Sequence, residues 1–118
     1  MAKLAIVVLA DTKSRGELGR AVNALMTAKE LKEAGDEVAI VFDGAGTGWV
    51  GVFANPEHRY HRLWLDVKEV VAGACAYCSA AYQVKDAVEA AGIPLLSDFD
   101  DHPSLRGYLV KGYQVVTF

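Results

Sequence analysis

Two cysteines, Cys75 and Cys78, are the residues of this sequence whose type and spacing most favour chemistry. They are the only cysteines among 118 residues. They lie where an apolar run, residues 70–74, gives way to a helical pattern that starts at Ser79. A thiol at the start of a helix faces free N–H groups and the positive end of the helix dipole, which favour the reactive thiolate. We therefore predict a catalytic pair that carries sulfur as a persulfide or cycles through a disulfide.

Other interpretations of this pair remain open or are disfavoured. Both cysteines could be small core residues, because free cysteine is often buried. A structural disulfide is a poor explanation, since such bonds are rare in the cytosol and a bridge this short closes too small a loop to stabilise much. The pair also lacks a neighbouring Trp or Pro and comes late in the chain. These two features argue against a thioredoxin-type motif.

Length and composition indicate one domain, residues 1–118, with a substantial core, because 53% of the residues are hydrophobic. The net charge is −3 and no basic run stands out, so nucleic acid is not expected as a partner. The longest apolar run, residues 4–10, is far shorter than the roughly 20 residues of a membrane span. The N-terminus does not resemble a secretory signal. We expect a cytoplasmic protein without a membrane span.

Strand and helix patterns alternate along the whole chain, and turn residues separate them. Such alternation predicts an α/β fold, specifically a three-layer α/β/α sandwich with a five-stranded, mostly parallel sheet. In these sheets, functional groups gather beyond the carboxyl ends of the strands. The predicted strands cover residues 3–10, 37–42, 71–75, 93–96 and 113–118, and the predicted helices cover residues 17–34, 79–91 and stretches opened by Pro56 and Pro103.

Two loops at these strand ends have compositions that invite a ligand. Residues 43–51 contain four glycines and include a G-x-G-x-x-G string, but the string follows the second strand rather than the first. A flexible loop that lets backbone approach the site is the favoured interpretation. Residues 11–16 hold two hydroxyl and two basic side chains. A helix-capping turn is favoured there over an anion site. We predict no cofactor.

The three histidines offer a metal site, which we disfavour. His58 and His61 are spaced for shared ligation on a helix, and Cys75 and Cys78 would complete a Cys₂His₂ set. However, His61 lies beside apolar positions and His58 falls in a first turn, so no metal is predicted. His102 is expected to cap the next helix, although its place in a strand-end loop also lets it reach the thiols. The acidic residues 98–101 suggest a solvated turn that supplies a helix N-cap.

Four segments and one residue pair together are typical of a known family. The segments are residues 74–84 (ACAYCSAAYQV), 91–96 (AGIPLL), 102–105 (HPSL) and 109–118 (LVKGYQVVTF), and the pair is Asp43-Gly44 after the second strand. On these residues the chain resembles the DsrE/DsrF-like family of small sulfur-handling proteins.

The resemblance implies a five-stranded α/β/α fold with a flavodoxin-like layout, and homo- or hetero-oligomers that are often trimers or hexamers. For this chain we expect a homo-oligomer. It also implies sulfur carried on one cysteine in the loop after the third strand, which matches Cys75. Related chains often have Ser or another small residue at the position of Cys78, so this chain departs from the pattern there. The protein would then be a sulfur-transferase-like carrier with donor and acceptor proteins as partners.

On this basis Cys75 is the predicted sulfur acceptor, and Cys78 is a supporting or resolving thiol. Two other functions stay open: a flavodoxin-like module that binds a nucleotide or another ligand, and a structural oligomer subunit with inert cysteines. If Trp49 or Trp64 is exposed, it would be a natural anchor of an oligomer interface.

Overall fold

The computed structural model, which describes residues 1–118, contains one sheet of five strands that are all parallel. The strand order is β4-β3-β2-β1-β5. The predicted α/β sandwich with a mostly parallel sheet is therefore confirmed. The strand order differs from that of flavodoxins, which is 2-1-3-4-5. The strands are β1 (Lys3–Val8), β2 (Glu37–Phe42), β3 (Val71–Cys75), β4 (Leu95–Leu96) and β5 (Gln114–Thr117).

Six α-helices connect these strands. The predicted single helix of residues 79–91 is wrong, because two short helices, residues 76–81 and 85–90, occupy this region and the first begins before Ser79. The chain breaks between them at Gln83, whose φ of 59° is incompatible with a continuous helix. The helices are α1 (Arg15–Glu33), α2 (Gly48–Ala54), α3 (His61–Val67), α4 (Ala76–Ala81), α5 (Lys85–Ala90) and α6 (Leu105–Val110).

The glycine-rich segment after β2 is helical, so the expected flexible loop is wrong. A 3₁₀ helix (Gly44–Thr47) leads directly into α2. Gly46 explains part of the glycine content, because a Cβ atom there would lie 1.9 Å from the carbonyl oxygen of Val8. The glycine lets this helix press against the end of β1.

The direction of the crossovers places the helices in two layers. From β1 to β4 each strand is added on the same side of its predecessor. Right-handed crossovers then put α1 to α5 on one face of the sheet. The return from β4 to β5 runs the other way and puts α6 on the opposite face.

The main core lies between the sheet and the first of these layers. Ile6, Ile40 and Phe42 from the strands are fully buried against helical residues of α1, α2, α3 and α5. Trp49 and Trp64 belong to this core, with only 3% and 1% of their surfaces exposed. Neither tryptophan is exposed, so neither is a candidate anchor of an oligomer interface.

Helix caps account for two of the polar loops. The Ser14 side chain accepts a hydrogen bond from the Glu17 N–H and caps α1, as expected for residues 11–16. At α6 the cap is Ser104, which accepts from the Gly107 N–H. The sequence predicted that His102 and the acidic turn of residues 98–101 would cap this helix. That prediction is wrong, because neither of them caps α6.

No helix of the chain combines the length and the apolar character that crossing a membrane requires.

Candidate functional site

Cys75 is the last residue of β3 and the N-cap of α4. Its Sγ accepts a hydrogen bond from the Cys78 N–H at 3.3 Å. The side chain is completely buried. Gly73 in the same strand permits the close approach of β4, since a Cβ atom there would lie 2.6 Å from both the Leu96 side chain and the Pro94 carbonyl. The sequence thus fixes Cys75 at the carboxyl edge of a tightly packed strand.

His102 reaches Cys75 from a tight turn that follows β4. Phe99 and His102 exchange two backbone hydrogen bonds of 2.8 Å, and Asp100 and Asp101 between them have φ values of 47° and 66°. This geometry is that of a type I′ turn. It holds His102 Nδ1 3.2 Å from Cys75 Sγ. The sequence-based expectation that His102 can reach the thiols is confirmed.

The same turn is tied to α4. The Tyr77 N–H donates to the Asp101 carbonyl at 2.9 Å, and the Tyr77 ring lies 5.0 Å from the His102 ring. The Asp101 carbonyl also lies 3.8 Å from Cys75 Sγ. The turn therefore covers the thiol and supplies its nearest base.

Cys78 is partly buried, and its partner is a carboxylate that sequence reasoning did not single out. Its Sγ donates to Asp43 Oδ1 at 3.4 Å. The same oxygen accepts the Gly44 N–H at 2.8 Å, which fixes the carboxylate. The position of Asp43 could have indicated this contact, because Asp43 directly follows β2 and the carboxyl ends of β2 and β3 are neighbours.

The four side chains form one compact cluster. One donor atom from each of Asp43, Cys75, Cys78 and His102 lies within 4.8 Å of every other. Both predicted catalytic cysteines belong to it, and both remain free thiols. We refer to these four residues as the strand-edge cluster.

The electrostatics of Cys75 differ from the sequence-based expectation. Burial raises the pKa of its thiol to about 12, and the contacts with the Cys78 thiol and the Asp43 charge act in the same direction. The Cys78 N–H at the start of α4 lowers the pKa, as expected, but does not offset burial. The predicted thiolate is therefore wrong, and the Cys75 thiol keeps its proton at neutral pH.

The other candidate residues lie apart from this cluster. His61 Nδ1 is 2.8 Å from the Phe53 carbonyl, and His58 Nδ1 accepts the Tyr60 N–H at 3.1 Å. His58 and His61 thus form no Cys₂His₂ set with the two cysteines. Lys13 and Arg15 line a separate open cavity of about 390 Å³ beside Trp49 and His58.

The fold and the cluster define a five-stranded parallel α/β protein with two thiols, an imidazole and a carboxylate at its strand edge. No protein-family model matches the chain. The chain is 30% identical over 95 residues to the uncharacterized protein MJ0733 of Methanocaldococcus jannaschii, across 80% of this chain and 77% of that protein. The chain belongs to the same family as MJ0733.

A solved structure has the same fold. The conserved protein of unknown function BT1422 from Bacteroides thetaiotaomicron superposes with a TM-score of 0.63, across 97% of this chain and 94% of that one. The sequence identity is 19%, so this likeness concerns the fold alone.

Proposed function

We propose that the protein is a sulfur carrier of the DsrE/DsrF type, in which Cys75 accepts sulfur as a persulfide. The observation that carries the proposal is the 3.2 Å contact between Cys75 Sγ and His102 Nδ1. A nucleophile within hydrogen-bond reach of a base is the usual arrangement for thiol chemistry. The resemblance of the cysteine-bearing segment to that family supports the same function.

His102 serves as the base because Cys75 is protonated. As Cys75 Sγ attacks the outer sulfur of a donor persulfide, His102 removes the thiol proton. The S–S bond of the donor breaks, a new S–S bond forms on Cys75, and His102 returns the proton to the departing donor thiolate. No net oxidation or reduction occurs in this exchange, so no additional reactant is needed.

Cys78 is the resolving thiol. Its sulfur lies within 4.8 Å of Cys75 Sγ, and its proton points to Asp43. Attack of Cys78 on the inner sulfur of the Cys75 persulfide would form a Cys75–Cys78 disulfide and release hydrogen sulfide. This second step is available only to a chain that has both cysteines.

Donor and acceptor proteins are the partners in this proposal, and they would dock on the segments that cover the buried Cys75 thiol. Tyr77 and Phe99 are on the segments that cover Cys75, and each residue is more than half exposed. Exposed aromatic side chains are frequent anchors of protein interfaces. A homo-oligomer and a cytoplasmic setting, where thiols stay reduced, complete the proposal.

Intact-mass spectrometry tests the acceptor. The reduced protein, its Cys75→Ser variant and the matched Cys78→Ser variant are incubated with a low-molecular-weight persulfide in the presence of a chelator. We expect the mass of one added sulfur atom on Cys78→Ser and none on Cys75→Ser. We expect the wild type to progress to a disulfide while hydrogen sulfide is released. An equal sulfur adduct on both variants, or none on any protein, would overturn the proposal.

A further inference from the structure

We propose that the strand-edge cluster of Asp43, Cys75, Cys78 and His102 is a binding site for a zinc-type divalent metal ion. The four donor atoms all lie within 4.8 Å of one another. This inference does not rest on sulfur transfer, since it needs only the donors and their positions.

The distances suit tetrahedral coordination. Zinc bonds of about 2.3 Å to sulfur and about 2.0–2.2 Å to nitrogen and oxygen separate neighbouring ligand atoms by about 3.3–3.8 Å. Cys75 Sγ and His102 Nδ1 are 3.2 Å apart, and Cys78 Sγ and Asp43 Oδ1 are 3.4 Å apart. No separation within the cluster exceeds 4.8 Å, so the longer ones must shorten by up to about 1 Å for the four atoms to surround an ion.

The scaffold holds the ligands before any ion arrives. Cys75 and Cys78 sit on the junction of β3 and α4, with the Cys-x-x-Cys spacing that zinc sites commonly use. The Gly44 N–H fixes Asp43 Oδ1, and the tie between Tyr77 and Asp101 holds the turn that bears His102. Such supporting hydrogen bonds orient metal ligands.

The donor types select the ion. Two thiolates and an imidazole favour zinc-type ions over magnesium or calcium, which prefer oxygen ligands. On binding, Cys75 and Cys78 lose their protons to solvent, and the two thiolates and the Asp43 carboxylate give three negative charges around the ion. The ion and an incoming sulfur atom would compete for Cys75, so the metal-loaded form cannot accept sulfur.

Titration with cobalt(II), used as a coloured substitute for zinc, tests the site. We expect the reduced, chelator-treated wild type to bind one equivalent, with sulfur-to-cobalt charge-transfer bands and the visible bands of tetrahedral cobalt. Zinc should then displace the cobalt and abolish both sets of bands.

Variants decide which residues bind the ion. Cys78→Ser, His102→Ala and Asp43→Asn should each weaken zinc binding by at least the roughly 10–100-fold that loss of an outer-shell partner costs. The matched controls are His58→Ala and Asp86→Asn, an exposed carboxylate in the first turn of α5 outside the cluster. Both should bind like the wild type, and circular dichroism verifies that each variant is folded. Absence of cobalt–thiolate bands in the wild type, or equal affinity of Cys78→Ser and wild type, would overturn the inference. The sulfur adduct on Cys75 is measured in the presence of a chelator, so that experiment tests the proposed function independently of either result.

Discussion

Histidine has different roles in the strand-edge cluster and in the aromatic layer, the group of packed rings formed by Phe42, Trp49, Phe53, His58 and Trp64. In the aromatic layer, His61 contacts the Phe53 carbonyl and the His58 ring packs edge-on against Phe53 at 5.5 Å. In the strand-edge cluster, His102 Nδ1 lies 3.2 Å from the Cys75 thiol. The comparison teaches that spacing along one helix is a weaker guide to a site than the convergence of parallel strands.

The largest expected effect is a difference in the rate of sulfur transfer between the His102→Ala and His58→Ala variants. His102→Ala should lower the rate of sulfur transfer to Cys75 by about 10²- to 10⁴-fold, the usual contribution of a positioned base. His58→Ala should leave this rate unchanged, because its ring belongs to the aromatic layer. Single-turnover mass spectrometry with a low-molecular-weight persulfide measures both. Equal rates for His102→Ala and wild type would remove His102 from the mechanism.

Much of the fold was predictable from the sequence. The continuous apolar strands and the helical repeats predicted the five-stranded sheet and, in outline, the presence of helices between its strands. The break at Gln83 and the helical glycine segment were not predictable, because both depend on tertiary packing. Gly46, for example, is required by the position of Val8, which no local pattern reveals.

The candidate site was predictable only in part. Cys75, Cys78 and the reach of His102 followed from residue type and from their places at strand ends. Asp43 was missed as a partner of Cys78, since the order of the strands in the sheet decides which loops meet. The ionisation of Cys75 was wrong because a dipole argument considers the helix but not the burial that outweighs it.

The same burial predicts a pH effect that belongs to the strand edge. The pKa of Cys75 rises from 9.0 to about 12 on folding, so the folded state binds the thiol proton more tightly. This contribution to stability is complete below about pH 9 and is lost as the pH rises toward 12. The limiting slope for one proton is about 1.4 kcal/mol per pH unit.

Urea unfolding in the presence of a chelator, from neutral pH to about pH 11, measures this effect. The free energy of unfolding of the wild type should fall more steeply with pH than that of Cys75→Ala, whereas Cys78→Ser should retain most of the slope. Burial also raises the pKa of Tyr108, so only the difference between variants is informative. Parallel curves for wild type and Cys75→Ala would contradict the proposed state of the thiol.

The smallest expected effect concerns backbone strain in the turn that bears His102. Asp101 has a φ of 66°, a left-handed conformation that costs an ordinary residue about 1–2 kcal/mol. Asp101→Gly relieves this cost, but the greater freedom of glycine in the unfolded chain takes back about 0.4–1 kcal/mol. We expect a net gain in the free energy of unfolding of about 0.5–1 kcal/mol.

Asp98→Gly is the matched control, because Asp98 is exposed just before the same turn and has no positive φ. It should lose about 0.4–1 kcal/mol for the entropic reason alone. Urea midpoints of the two variants, compared with the wild type, should therefore move in opposite directions. If both fall, the turn stores no strain, and the contact between His102 and Cys75 is held by the hydrogen bonds of Phe99 and Tyr77 without cost to the backbone.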